Sequence, residues 1–225
     1  MPILQHITFL NTKRIILASQ SPRRKTILNQ IGLVNFLQMP SGFAEDLPKS
    51  EFNTPSEFAI ETARHKAVDV WNVCTSTDTP PDLVIAADTV VIGPGEEILG
   101  KPLDKEDAFN MLRKLSGTTH SVISACAFCY RPKSSKSSKV DSNDISFATH
   151  TFAVAATVHF APLSDAEIQA YVATQEPMGK AGSYGIQGIG GALISGIEGD
   201  YYTVMGMPLH GFCKEMQQVI LPELL

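Results

Sequence analysis

The chain has 225 residues, 44% hydrophobic and 18% charged, with a net charge of −5; this suffices for one sizeable core, and length alone permits one domain or two small ones, since single domains reach about 200–250 residues, while the elements in chain order read as one domain over 1–225. The acidic balance argues against sequence-independent nucleic-acid binding, which needs a basic footprint. With no apolar run near the ~18 residues of a membrane span, and with an opening MPILQHITFL that lacks the basic start and cleavage site of a secretion signal, the expectation is a cytoplasmic protein without a membrane partner.

In chain order, Ile15–Ala18 is a short apolar run and reads as a buried strand. Ser21-Pro22 then opens a helix, with Ser21 as N-cap and proline at the first helical position; Ile27, Leu28 and Ile31 form its stripe and Gly32 ends it. Thr54 to Glu57 has capping-box spacing. It opens a helix through about Trp71, with Ala59, Ala63, Ala67, Val70 and Trp71 on one side. A Thr/Pro-rich loop, Thr75–Pro81, precedes a second apolar strand, Leu83–Ile92. Asp104 caps the next helix, with Ala108, Met111, Leu112 and Leu115 inward and Gly117 at its end. His120–Tyr130 and Phe147–Ala161 read as partners in an antiparallel pair, joined by the polar, low-complexity and mobile loop RPKSSKSSKVDSNDI. Ser164 and Glu167 form another capping box, before a helix to about Thr174. After a glycine-rich stretch, Ala192–Ile197 and Tyr201–Met205 read as a strand pair turned at Glu198-Gly199-Asp200. Leu209, Phe212, Cys213, Met216, Val219 and Ile220 make a final amphipathic helix.

Cys126 and Cys129 form a CxxC, but in a strand-like run positions three apart face opposite sides. No second CxxC or CxxH completes a tetrahedral set, so reduced, buried thiols are expected. His120, His150 and His159 lie in strand-like runs and read as packed or edge residues.

Four places break the structural rules, and functional sites tend to appear where such rules are broken. In LASQSPRRKTIL, Arg23 and Arg24 sit in the first turn of a helix, whose end is already positive. Either they are solvated, or an anion shares them with the free N–H groups and with Ser19 and Ser21. In LVIAADTVVI, Asp88 interrupts an apolar run. An unpaired buried carboxylate is costly, so Asp88 reads as a metal ligand, an ion-pair partner or a base. Lys66, Lys101 and Lys180 sit beside helices; each reads either as a phosphate contact or as solvated surface, and the latter is the default for lysine. In SYGIQGIGGALI the glycines permit close backbone approach and Gln187 offers both a donor and an acceptor; a tight structural loop is the other reading.

Taken in order, ASQSPRR, AADTVV, GKPLD with MLRKLSGTTHSV, KAGSYGIQG and GDYYTVMGMPL resemble the Maf family of nucleoside triphosphate pyrophosphatases, over roughly Arg14 to the last helix. The resemblance implies an α/β (mixed α+β) fold, with a long twisted mixed sheet, flanking helices and two lobes around a cleft, similar to inosine triphosphate pyrophosphatases. It implies hydrolysis of a nucleoside triphosphate to monophosphate and pyrophosphate with a divalent metal, Mg or Mn. Asp88 matches the catalytic acidic residue. Ser19, Arg23, Arg24, Lys66 and Lys101 match positions lining the phosphate cleft, and Glu45 matches an acidic position that joins Asp88 near the metal. Arg23, Thr89 and Gln187 match the subgroup preferring dTTP and UTP; the other large subgroup prefers 7-methyl-GTP. Homodimers are common for this fold. The chain departs from the family's Pro-x-Asp-Lys-Ala-Gly by having Gly179 before Lys180, which bears on metal affinity or base preference. A purine or 7-methyl-GTP pyrophosphatase, and a regulatory nucleotide-binding protein with little turnover, are the competing readings.

Overall fold

The computed structural model describes residues 2–75, 80–133 and 147–225. Seven strands form one mixed sheet: β1 (Ile15–Leu17), β2 (Phe36–Gln38), β3 (Leu83–Ile92), β4 (Ile98–Leu99), β5 (Thr119–Tyr130), β6 (Ala148–Phe160) and β7 (Ile194–Glu198). Their order is β2-β1-β3-β5-β6-β7, with β4 added to β3. β1 is parallel to β2 and β3, and the other pairings are antiparallel. The helices are α1 (Ile7–Leu10), α2 (Pro22–Gln30), α3 (Pro55–Thr75), α4 (Lys105–Leu115), α5 (Asp165–Ala173), α6 (Tyr201–Met205), α7 (Leu209–Glu215) and α8 (Leu221–Leu224). A π-turn, Met216–Ile220, joins the last two. The expected α/β class is observed.

Side chains alternate across a strand, and the core follows that rule. Leu83, Ile85 and Ala87 of β3 join Cys126 and Phe128 of β5 in a cluster closed by α2 and by α7, α8 and the π-turn between them. Val84, Ala86 and Val90 join Ala125, Ala127 and Cys129 in a second cluster beneath α3. The buried Ala59, Ala63 and Ala67 let α3 lie close to the strands. Farther along the same strands, Val91, Val122 and Val158 enter a third cluster with α4 and α5. The long strands β3, β5 and β6 therefore run through two apolar regions, which matches the two-lobed expectation.

One gap in the ladder positions the site. β1 stops at Leu17, opposite Ile85, and β4 pairs with β3 only at Val91 and Ile92. Between those points, β3 carries Asp88 and Thr89 past the carboxyl end of a parallel strand, where α/β sheets characteristically open a ligand crevice.

The one misread element is Tyr201–Met205, which is a helix and not a strand paired with its predecessor. β7 pairs with β6 instead. The Asp200 carboxylate accepts from the N–H and the hydroxyl of Thr203, both at 2.8 Å. This cap outweighs the strand preference of the aromatic and β-branched run. Smaller differences lie at the ends: α3 continues to Thr75, and the Glu57 carboxylate accepts from the N–H of Asn53, one residue before the cap. Residues 76–79 of the Thr/Pro-rich loop and 134–146 of the polar loop between β5 and β6 lie outside the described residues.

Candidate active site

Beyond the end of β1 lies a cleft of about 550 Å³. Its walls include Ser19, the N-terminal turn of α2 with Arg23 and Arg24, Glu45, Lys66, Asp88, Thr89, Lys101, Lys180 and Tyr184. The strand–loop–helix arrangement directs the first turn of α2 at this space. The backbone of Ser21 caps the helix, but its hydroxyl accepts none of the N–H groups of that turn.

Strand alternation separates the two neighbours on β3. Asp88 falls on the α3 face and Thr89 on the α2 face. On α3, Lys66 is buried, and its ammonium donates to Asp88 Oδ1 at 2.7 Å while lying 3.1 Å from Glu45 Oε1. Lys66 is thus not the solvated lysine that residue type alone suggests. Glu45 also pairs at 3.2 Å with Lys101, which is exposed. Burial pushes the Glu45 carboxyl up, but Lys66 and Lys101 outweigh it and hold the group below its usual range. The loop carrying Glu45 is anchored on α3: Asp69 accepts from the Ser41 hydroxyl and the Gly42 N–H, each at 2.8 Å, and Phe43 stacks on His65.

On the other face, the arginine pair is not simply solvated. Arg24 donates to the Gly206 carbonyl at 3.0 Å, to Ser19 Oγ at 3.1 Å and to Thr89 Oγ1 at 3.3 Å. Arg23 donates to the Met205 carbonyl at 3.2 Å. These carbonyls end α6, where a helix is partly negative. They answer the positive charge that α2 cannot. Burial lowers the pKa of Arg24, an effect Asp88 opposes; burial and the neighbouring Arg24 both lower that of Arg23. The Thr89 hydroxyl is 2.8 Å from that of Ser124, which donates to the Thr203 carbonyl at 2.7 Å. Thr89 therefore belongs to the network that fixes Arg24.

The structure brings Ser19, Arg23, Arg24, Glu45, Lys66, Asp88, Thr89 and Lys101 into one cleft. Gln187 is exposed and follows Gly185 and Ile186, which do line the cleft. Lys180 lines the cleft too, although residue type alone favours solvated surface for it; sequence reasoning missed Glu176, which organises the glycine-rich stretch by accepting from the N–H groups of Ile189 and Gly190. The cysteines stand as expected: Cys126 and Cys129 are buried on opposite faces, and burial pushes both thiols up to about 12. His120 is packed, with Nε2 2.8 Å from the Tyr184 hydroxyl.

Carboxylates face cations across this cleft, and the helix terminus adds free donors. Such a set can neutralise a polyanion while keeping a carboxylate beside its phosphates. A human protein named "Probable bifunctional dTTP/UTP pyrophosphatase/methyltransferase protein" is 44% identical over 211 residues, which are 93% of this chain and 32% of that protein's length. Proteins named dTTP/UTP pyrophosphatase from Bacillus velezensis and Pyrococcus furiosus are 42% and 41% identical, each over 88% of this chain and over 92% and 90% of their own lengths. Since the family model for Maf-like protein matches residues 14–219, the chain belongs to the Maf family.

Proposed function

We propose that this chain hydrolyses nucleoside triphosphates, chiefly dTTP and UTP, to the monophosphate and pyrophosphate. The observation that carries the reading is the buried Asp88–Lys66 pair with the exposed Glu45 beside it, facing Arg23, Arg24 and the start of α2 across one cleft. The names of relatives similar over most of their length support the substrate class. Asp88 is the proton acceptor for the attacking water. Lys66 holds the Asp88 carboxylate in place, and Arg23, Arg24 and Lys101 neutralise charge on the phosphates and on departing pyrophosphate. Thr89 and Gln187 contribute to base preference.

The donor chemistry fits a magnesium or manganese ion brought in with the substrate. Among the described residues, no three His, Cys, Asp or Glu side chains converge into a cage. Magnesium takes one or two carboxylates together with substrate phosphates and waters, and Asp88 and Glu45 supply that number. When bound, the ion polarises a phosphoryl oxygen and lowers the pKa of a bound water. No helix among the described residues is long and apolar enough to cross a membrane, and a cytoplasmic nucleotide pool accords with the reading.

The test is turnover of a nucleotide panel (dTTP, UTP, CTP, ATP, GTP, 7-methyl-GTP) with magnesium or manganese, the products being resolved by chromatography. Monophosphate and pyrophosphate are expected, chiefly from dTTP and UTP. Asp88→Asn is expected to lose about 10²–10⁴ in kcat, the range of general-base catalysis, while calorimetry still detects triphosphate binding. Orthophosphate as product, or near-normal turnover by that variant, sinks the assignment.

A further inference from the structure

After α5 ends at Ala173, Gln175 takes a left-handed backbone conformation and turns Glu176 back beneath the glycine-rich stretch. The Glu176 carboxylate there accepts the Tyr171 hydroxyl at 3.0 Å, the Gly190 N–H at 3.0 Å and the Ile189 N–H at 2.8 Å. The Tyr171 hydroxyl in turn accepts the Gly185 N–H at 3.2 Å. Two side chains from one helix and its exit therefore grip the chain on both sides of Gln187. A Cβ at Gly188 would collide with the Glu176 carboxylate, and one at Gly190 with the Tyr171 hydroxyl. The glycines serve this close approach. The main-chain carbonyl of Glu176 also accepts the Lys180 ammonium, and Lys180 lines the cleft.

We propose that Tyr171 and Glu176 are positioning residues for substrate selection: they clamp residues 185–190 so that Gly185, Ile186 and Gln187 meet the nucleobase in one fixed geometry. This rests on the reading of the cleft as a nucleoside triphosphate site and deepens it. The chemical argument is one of pre-organisation. Gln187 is exposed and its amide reads a base edge only if its backbone is already held, because a mobile loop loses the ordering entropy on each binding event. Burial pushes the Glu176 carboxyl up, yet the N–H groups of Gly190 and Ile189, the Tyr171 hydroxyl and Lys180 hold it below the usual range. It therefore stays an ionised, acceptor-only group at neutral pH. A neutral amide cannot replace it without turning a donor toward one of its donors.

The experiment compares wild type with Tyr171→Phe, Glu176→Gln, Gln187→Ala and the double variant Tyr171→Phe/Gln187→Ala. Hydrogen exchange is followed at residues 185–190, and kcat/KM is measured for dTTP, UTP, CTP and GTP. Tyr171→Phe keeps the buried ring, and thermal unfolding shows whether the fold is retained. The expected result is at least tenfold faster exchange at Gly185, Ile189 and Gly190 in the Tyr171 and Glu176 variants. The dTTP-to-GTP ratio of kcat/KM is expected to fall several-fold, mainly through KM, and the double variant should discriminate no less than Gln187→Ala alone. A merely structural role lowers stability and rate for all nucleotides alike and leaves the ratio unmoved; that outcome, or unchanged exchange, overturns the clamp. If Gln187→Ala leaves the ranking intact while Tyr171→Phe changes it, the clamp stands through Gly185 and Ile186 and the role of Gln187 falls. If none of the proteins releases pyrophosphate from any nucleotide, the functional reading and the clamp's role in selection fall together.

Discussion

Lys66 and His120 are buried polar residues in adjoining parts of the molecule, handled in opposite ways. Lys66 is met by two carboxylates, at 2.7 and 3.1 Å. His120 is kept neutral: burial, with the nearby His159 adding to it, pushes its pKa from 6.5 down to about 4. Phe160 and Tyr184 pack edge-on against its ring. As pH falls, the unfolded chain takes up this proton near 6.5, whereas the folded chain holds out until about 4. Between those values the unfolded state binds more protons, so stability is full above pH 6.5 and declines as pH falls toward 4. A shift of that size corresponds to about 3 kcal/mol. His120→Phe should unfold more easily at neutral pH, since the Tyr184 hydroxyl loses its partner. It should also lose much less stability than wild type between pH 7 and 4.5. Urea unfolding at the two pH values measures this, with a difference of roughly 2–3 kcal/mol expected between the proteins; parallel losses would remove His120 from the acid response.

At the level of elements, α6 deserves its place in the site because of where it ends. Its last carbonyls hold Arg23 and Arg24, and its start is fixed by Asp200. Asp200→Ala should cost about 0.5–2 kcal/mol, the usual range for a lost cap. It should also raise KM for dTTP several-fold, with kcat changing less, since the arginines lose their aim while Asp88 stays put. Denaturant unfolding and steady-state kinetics together test this; a stability loss with unaltered KM breaks the link between α6 and the arginines. The same helix shows where sequence reading stops. β3, β5, β6 and α3 were legible because each carries its apolar period through many residues. β2 and β4 span three and two residues and carry no period. α6 was misread because Tyr201-Tyr202-Thr203-Val204 favours a strand locally and one carboxylate reverses the outcome. In the site, Asp88 was legible as a carboxylate in an apolar run. The partner that explains it, Lys66, stands 22 positions away, and the clamp of Glu176 on Gly190 spans 14. Such pairings exist only once the chain has folded.

Across the whole molecule, the central strands tie the two faces of the sheet together, and the thiols report on this. Cys126 packs beneath α7 and α8, and Cys129 beneath α3. Both are fully buried in β5, which pairs with β3 on one side and β6 on the other. Reaching either therefore requires the sheet to open, and burial has already pushed both up to about 12, which suppresses the reactive thiolate. Cys74 near the end of α3 and Cys213 on α7 are also buried but sit on peripheral helices, which open at lower free energy than central strands. The native protein at pH 8 should thus react slowly with an aromatic disulfide reagent, in the order Cys213 and Cys74 before Cys126 and Cys129, while all four react at once in denaturant. A nucleotide that binds the cleft touches β3, α2, α3 and the segment before α7 together, and it stabilises only the closed molecule. At a free concentration of about 100 Kd it adds about 2.7 kcal/mol, so labelling of Cys126 and Cys129 should slow about 100-fold where it proceeds by global unfolding. Mass-spectrometric mapping with dTTP and magnesium, using Asp88→Asn to prevent turnover, measures each site separately. Protection of the central pair by that factor, with less at Cys213, means that the cleft is coupled to the unfolding of the whole sheet. Labelling of Cys126 or Cys129 that nucleotide does not slow means that these strands open without disturbing the site, and the molecule then divides where the long strands pass between its two apolar regions.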